Sequence, residues 1–577
     1  MASRLTTFIV VLIVAGTLIA GLIVGAQRDD ESGPVDLIVT NGRVYVGSAS
    51  RFAEAVAIRG NKILRVGTNR EIKRLRRAQT TVVDAHGASV LPGFNDSHVH
   101  LLGGGLALSN VNLLDATTLE SIQEAVKAFA ASHPDRPWVR GRGWYYDPFP
   151  GGLPTRQQLD AVVPDRPAYL VAYDGHTGWA NTKALQAAGI TRRTSSPAHG
   201  VIVKDPRTGE PTGVLKEAAQ ALMQKVLPQP TRADKLDALR GAIQEAQRLG
   251  ITSVQNAGGS PDDLGLFEEL RAAGELQVRV YAALSVTSDT TRDEMQAIDA
   301  ARRKYQDDPL LKAGAVKLMA DGVIESHTAA MLAPYANKPT TGAPYFSPGD
   351  LGRLVGTLDK NGWQILVHAI GDGAVRMSLD AIEQAARTNP APPRGRRHRL
   401  EHVETVDPAD IPRFGRLGVI ASQQPFHGTP SPNQISVWTA NIGDVRASRG
   451  WAYHSIMAAG GRLAFGSDWP VVTIDPRAGI DTAVTRMTAD GEPDGGWYPT
   501  ERIPLTAALD AYTSGAAWAS FDEQRKGTLA RDLLADVVVL SSDIFQPDAR
   551  VIDAFVDTTI FDGKIVYTRP PSSATTQ

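Results

Sequence analysis

Six polar residues stand at the ends of apolar, strand-like runs: His98, His100, Lys317, His368, His402 and Asp468. The first two sit in Leu91-Pro92-Gly93-Phe94-Asn95-Asp96-Ser97-His98-Val99-His100, where the apolar run Ala88 to Leu91 leads through Pro-Gly into a His-x-His pair. Residues at i and i+2 of a strand point to one face. Both imidazoles can therefore reach one point, and neutral imidazole is the commonest metal ligand in proteins. Singly, each of the six has an ordinary explanation: a hydrogen-bonded core histidine, a salt-bridged lysine, an aspartate capping a helix. Together, at the ends of successive strands, they predict a shared site for one or two divalent metal ions. Imidazoles with a carboxylate suit zinc, and iron or manganese as well. Such a centre makes a nucleophile of water near neutral pH and polarises a carbonyl.

The elements that must position these residues read as an α/β fold. Runs at 251–255, 278–284, 314–318, 364–368, 398–402, 418–422 and 462–468 alternate with amphipathic segments, which is the pattern of a parallel sheet. With the strand before His98 they make eight, and eight β/α units close into a (β/α)8 TIM-type barrel whose sites lie at the carboxyl ends of the strands. We place this barrel at residues 91–520. Residues 101–232 exceed any normal βα loop and read as a large insertion after the first strand, roofing the site. Two short β pieces flank the barrel, at 35–90 and 525–570. Neither is long enough to be stable alone, so they are expected to form one small split β-sandwich domain. In the first piece Asn41-Gly42 signals a hairpin, and strands 55–58 and 63–66 pair around Gly60-Asn61.

Composition narrows the partners. The chain has 577 residues, a formal net charge of -2 and no cysteine. Disulfides, thiolate metal sites and a cysteine nucleophile are excluded. No long basic stripe marks a nucleic-acid partner. A small molecule is the expected partner, and self-association into a homo-oligomer is compatible with the composition. Within residues 1–30, Leu5 to Ala26 is an apolar run without charge, preceded by Arg4 and followed by Arg28, Asp29, Asp30 and Glu31. It is long enough to span a bilayer as a transmembrane helix. An uncleaved membrane anchor and a cleaved, secreted signal both place the body outside the cytoplasm.

The motif set resembles the amidohydrolase superfamily of metal-dependent hydrolases. It is closest in pattern to the amidohydrolase-3 branch, with its N-substituted formamide deformylase-like members. The residues that carry the resemblance are the His98–His100 segment, Asp174-Gly175-His176 with Trp179 and Asn181, Val316-Lys317-Leu318 before Asp321-Gly322, His368-Ala369-Ile370-Gly371-Asp372, Glu401-His402 and Gly466-Ser467-Asp468. The resemblance implies that His98, His100 and Asp468 hold the more buried metal, and that His368 and His402 hold a second. It implies that Lys317 is carboxylated by carbon dioxide and bridges the two ions; an unmodified lysine would go with one. A metal-bound hydroxide would attack a carbon–nitrogen bond in an amide, N-formyl amine or cyclic amide. Asp468 would shuttle the proton to the leaving nitrogen. The same centre could open lactones or phosphoesters, and a non-catalytic, membrane-tethered binding protein is the reading from another class.

The insertion adds candidates. His176 and Asp174 either face the pocket, His176 then as a catalytic group and Asp174 as a substrate contact, or fix their own loop. Trp144 and Tyr145 either supply an aromatic wall for the substrate or pack in a core, and Trp179 is a candidate substrate contact. His427, just beyond the seventh strand, is a further candidate contact. Glu217, Glu325, His327 and Asp372 lie near these loops and receive no role, and His86, His133, His199, His398 and His454 read as surface or structural residues.

Overall fold

A computed structural model describes residues 34–47 and 51–570. The N-terminal anchor or signal expected over 1–30 lies outside the described residues. Among those described, no helix is long and apolar enough to cross a membrane.

Eight parallel strands form the central sheet, each paired with the next in chain order. They are β1 (Phe94–Val99), β2 (Ile251–Ala257), β3 (Arg279–Ser285), β4 (Leu311–Met319), β5 (Gln364–Ala369), β6 (Arg399–His402), β7 (Ile420–Gln423) and β8 (Arg462–Phe465). Both faces of these strands are covered, which is why several of them, such as β3 and β4, read as near-continuous apolar runs. The helices that cover them start where side chains cap free N–H groups. Thr291 with Glu294, and Ser260 with Asp263 ahead of Pro261, form reciprocal capping boxes.

The barrel is closed by the segment that carries the last candidate ligand. Strand β8 ends at Phe465, three residues before Asp468, because Gly466 turns the chain across to β1. A Cβ on Gly466 would lie 2.4 Å from the His98 backbone nitrogen, so only glycine passes. Beyond it the Asp468 N–H donates to His98 O at 2.6 Å, and the His100 N–H donates to Trp469 O at 2.8 Å. The Asp96 carboxylate, fully buried, accepts from the backbone N–H groups of His98 and Ser467 and from the Ser467 hydroxyl.

Two findings differ from the sequence expectation. The apolar run ending at Leu91 is not the barrel's first strand. Ser89–Pro92 belongs to a six-stranded flanking sheet, parallel to Arg43–Tyr45 and antiparallel to Val537–Leu540. The histidines ride instead on β1, whose Asn95, Asp96 and Ser97 hide it among polar residues. Nor does Asn41-Gly42 close a hairpin. It hands the chain from Leu37–Thr40, in a four-stranded sheet, to Arg43–Tyr45 in the six-stranded one. Val39, Val44, Ile58, Val90, Val537 and Ile560, drawn from both sheets and both chain ends, share one apolar core. The insertion has its own six-stranded sheet, including Val139–Trp144, Ala168–Ala172, Thr177–Ala180 and Pro211–Glu217.

Candidate metal centre

The carboxyl ends of the barrel strands bring His98, His100, Lys317, His402 and Asp468 around one point, with His368 alongside. Asp468 Oδ1 lies 3.1 Å from His100 Nε2 and 3.4 Å from His98 Nε2, and Oδ2 lies 3.8 Å from His402 Nδ1. Lys317 Nζ is 3.3 Å from His98 Nε2. The His402 ring centroid is 4.8 Å from that of His98 and 4.5 Å from that of His368. His402 and Asp468 take positive φ angles of 73° and 60°. Such backbone costs of order 1–3 kcal/mol per residue and persists only where the surroundings enforce it.

These residues fit a metal. Ligand atoms of His98, His100 and Asp468, and of His402, His427 and Asp468, fall within 4.8 Å of one another. His402 Nδ1 and Asp468 Oδ1 are buried without a hydrogen-bond partner, the state expected of groups that face a cation. Burial and nearby cationic side chains hold the His368 and His402 imidazoles far below their ordinary titration range, and burial lowers His100. All three are thus neutral and ready to coordinate. Burial works against ionisation of Asp468, yet the neighbouring His98, His100 and His402 outweigh it and keep the carboxylate charged. Neither close set includes His368, whose Nε2 lies 3.3 Å from Gly322 O. His427, expected only as a substrate contact, enters the second set.

Residues to which the sequence assigns no role hold this centre in place. Glu401, wholly buried on β6, faces away from its neighbour His402 and meets His98 Nδ1 at 2.5 Å. That contact leaves His98 Nε2 to face the centre. Burial would raise the Glu401 carboxyl, but the Arg399 charge and the contact with His98 hold it well below the usual carboxylate range. Arg399 donates Nε to Glu401 Oε1 at 2.7 Å and Nη2 to Oε2 at 3.0 Å. Asp321 accepts backbone N–H groups of Ala330, Ile370 and Gly371, tying the loop after β4 to the one that follows His368.

An open cavity of about 620 Å³ reaches His100, Lys317, His368, His402 and Asp468 from the insertion side, with Asp174 and His176 on its wall. A smaller recess beside it is lined by Tyr173, Glu325, Glu404 and His427. Of the residues predicted in the insertion, His176 is set over the centre, 5.9 Å from His368 between ring centroids. Its Nδ1 bonds Glu217 at 2.8 Å. Asp174 does both things considered for it: it borders the cavity, and it accepts from the His176 N–H and the Tyr146 hydroxyl. Trp144 and Trp179 are not pocket walls. Both are fully buried in the insertion's own core, stacked edge to face, with their indole N–H groups satisfied by Leu170 O and Thr155 O. An indole in a Gly-rich strand looks the same in sequence whether it faces a ligand or a core.

The His176–Glu217 pair has a pH signature. Burial lowers the His176 pKa, but the Glu217 charge and hydrogen bond dominate and raise it to about 9. Burial raises Glu217, but its pairing to His176 and its hydrogen bonds bring it down to about 2. A histidine raised on folding contributes stability that is complete below its unfolded pKa and lost as pH rises through its folded one. Metal-free wild type should therefore lose thermal stability relative to Glu217→Gln between pH 6.5 and about 9. Parallel melting curves across that window would refute the pairing.

The fold and the centre together define a class: a barrel hydrolase that works with metal. The chain belongs to the amidohydrolase family, whose model matches residues 81–567. It is 33% identical to Protein LONG AFTER FAR-RED 3 of Arabidopsis thaliana, over 92% of this chain and 91% of that protein. It is 27% identical to an N-substituted formamide deformylase of Arthrobacter pascens, over 93% of this chain and 99% of the enzyme. Among solved structures, an uncharacterised metal-dependent hydrolase from Pyrococcus furiosus superposes with a TM-score of 0.64 at 26% identity, covering 86% of this chain and 97% of that one.

Proposed function

We propose that this protein hydrolyses a non-peptide carbon–nitrogen bond in a small molecule, an amide, N-formyl amine or cyclic amide, with zinc as the first choice of metal. The observation that carries the proposal is the gathering of His98, His100, Lys317, His402 and Asp468 around one point at the mouth of the barrel. The formamide deformylase relative supports the choice of bond. A divalent cation in this centre supplies acidified water and a Lewis acid for the substrate carbonyl.

The remaining steps belong to the chain's own side chains. Asp468, charged at rest and touching the histidines, takes the proton of the attacking water and returns it to the leaving nitrogen. His176, held by Glu217 and protonated at neutral pH, faces the cavity as a donor for the oxygen that becomes negative. Burial lowers the Lys317 pKa, which favours the neutral amine that captures carbon dioxide. If the carbamate forms, bicarbonate will raise activity and the residue will gain the mass of carbon dioxide. An unmodified Lys317 in protein holding two metals would remove that step. The body is placed outside the cytoplasm, on the charge asymmetry around residues 5–26.

A panel of N-formyl amines, linear and cyclic amides, lactones and phosphotriesters, offered to zinc-loaded full-length protein, tests the reading. Turnover is expected for a carbon–nitrogen substrate. Turnover of lactones or phosphotriesters alone would overturn it, and so would metal content below half an equivalent.

A further inference from the structure

Between the insertion sheet and the helix Leu101–Ala107 runs a groove of about 410 Å³ that ends at His100. Its floor comes from two adjacent strands of the insertion. Arg140 and Arg142 stand at i and i+2 on Val139–Trp144, and so on one face, opposite Tyr169 and Val171 of the next strand. All four line the groove.

The arginines are underpartnered. Arg142 donates one Nη to Tyr173 O at 2.6 Å, and its Nε is buried with no partner. Arg140 donates Nη1 to Pro228 O at 3.3 Å. Among the described residues neither forms an ion pair. Other inward-facing arginines of this chain behave differently: Arg279 meets Asp536 at 2.8 Å, Arg399 meets Glu401 at 2.7 Å and Arg413 meets Asp410 at 2.9 Å. Arg486, which also lacks a carboxylate, is enclosed against the Tyr453 and Trp497 rings. The Arg140 and Arg142 guanidiniums face an open groove instead. A guanidinium remains charged and is costly to bury without an anion. Burial pulls Arg142 down to about 10, against the pull of Asp468 and Asp174. Both of those carboxylates are engaged elsewhere, Asp468 with the histidines and Asp174 with Tyr146 and His176. A cation at the centre would further cancel the charge of Asp468 as seen from Arg142.

We propose that this groove is a binding subsite for an oxyanion carried by the substrate, a carboxylate or a phosphate, held by Arg140 and Arg142 while the bond to be cut reaches past His100. The inference rests on the hydrolase reading and sharpens its substrate class: a molecule with an anionic group at one end and the carbon–nitrogen bond at the other. Two guanidinium forks on one face suit either planar carboxylate or phosphate oxygens.

Calorimetric titration of the metal-loaded full chain with glutarate, propylphosphonate and 1,5-pentanediol tests it. Glutarate or the phosphonate is expected to bind about tenfold more weakly to Arg142→Gln and to Arg140→Gln than to wild type, the loss of one charge-assisted hydrogen bond. The diol should not distinguish them. A larger loss for glutarate assigns a carboxylate, and a larger loss for the phosphonate assigns a phosphate. Equal affinity of both anions for wild type and the folded variants would overturn the subsite. Should the glutamine variants fail to fold, Arg142→Lys and Arg140→Lys carry the same comparison, and unchanged affinity again overturns it. Because binding is read without turnover, failure on every carbon–nitrogen substrate would remove the hydrolytic reading and leave this result to stand or fall alone.

Discussion

Replacing Asp468 with asparagine is expected to cut turnover by about 10²- to 10⁴-fold, the usual loss when a positioned acid–base group is removed, while most of the metal stays bound. The substitution is informative because the backbone tolerates it. Asp468 holds φ at 60°, and asparagine and aspartate are the non-glycine residues that adopt this region most readily. The hydrogen bonds that close the barrel come from main-chain groups, so they survive the change. Asparagine retains a carbonyl oxygen to face the histidines but cannot carry the proton. Metal content by mass spectrometry and kcat on the same preparation decide the matter. A variant that keeps its metal and near wild-type kcat would show that the proton moves by another route.

The second large effect is expected from Glu401→Gln, at a residue that meets His98 and lines neither the cavity nor the recess beside it. Arg399 and Glu401 are both wholly inaccessible to solvent. Removing one member of such a pair leaves the other charged and buried, at a cost of about 3–5 kcal/mol. The same change takes away the carboxylate that orients His98, and loss of such an orienting partner weakens metal binding about 10- to 100-fold. The two effects separate in the double variant Arg399→Met, Glu401→Gln. Stability should largely return, since the stranded guanidinium is gone, while metal affinity should stay low. Recovery of both in the double variant would mean that Glu401 serves packing alone.

The sequence foretold the barrel and the neighbourhood of its centre because both obey short-range rules. Parallel strands covered on both faces read as apolar runs, and a residue that ends such a run lies at the barrel's mouth; His402 and Asp468 could be placed this way. Where the pattern inverts, the reading failed. β1 is a buried strand written as Phe-Asn-Asp-Ser-His-Val: Ser467 donates to the Asp96 carboxylate, Gln255 to Asn95 Oδ1 and Arg399 to the Ser97 main-chain oxygen, all from distant parts of the chain. Ser89–Pro92 has the expected apolar pattern but spends it on another sheet. Glu401 was visible as a letter, not as a role, because its partner His98 is 303 positions away. Trp144 and Trp179 are ambiguous for the opposite reason: an indole suits a ligand wall or a core equally, and only three-dimensional packing shows them enclosed. Arg140 and Arg142 are conspicuous only by the carboxylates they lack, which no pattern along the chain can reveal.

The split flanking domain sets an order of events during synthesis. Ser89–Pro92 runs within two residues of β1, yet one of its sheet neighbours, Val537–Leu540, is synthesised only after every strand of the barrel. Until then the strand leading to His98 and His100 has an unpaired edge, and the Asp468 segment that seals the barrel against it has itself only lately emerged. A nascent chain stalled before residue 537 would present that edge to other chains, so trimming the C-terminus should yield aggregation rather than a smaller working enzyme.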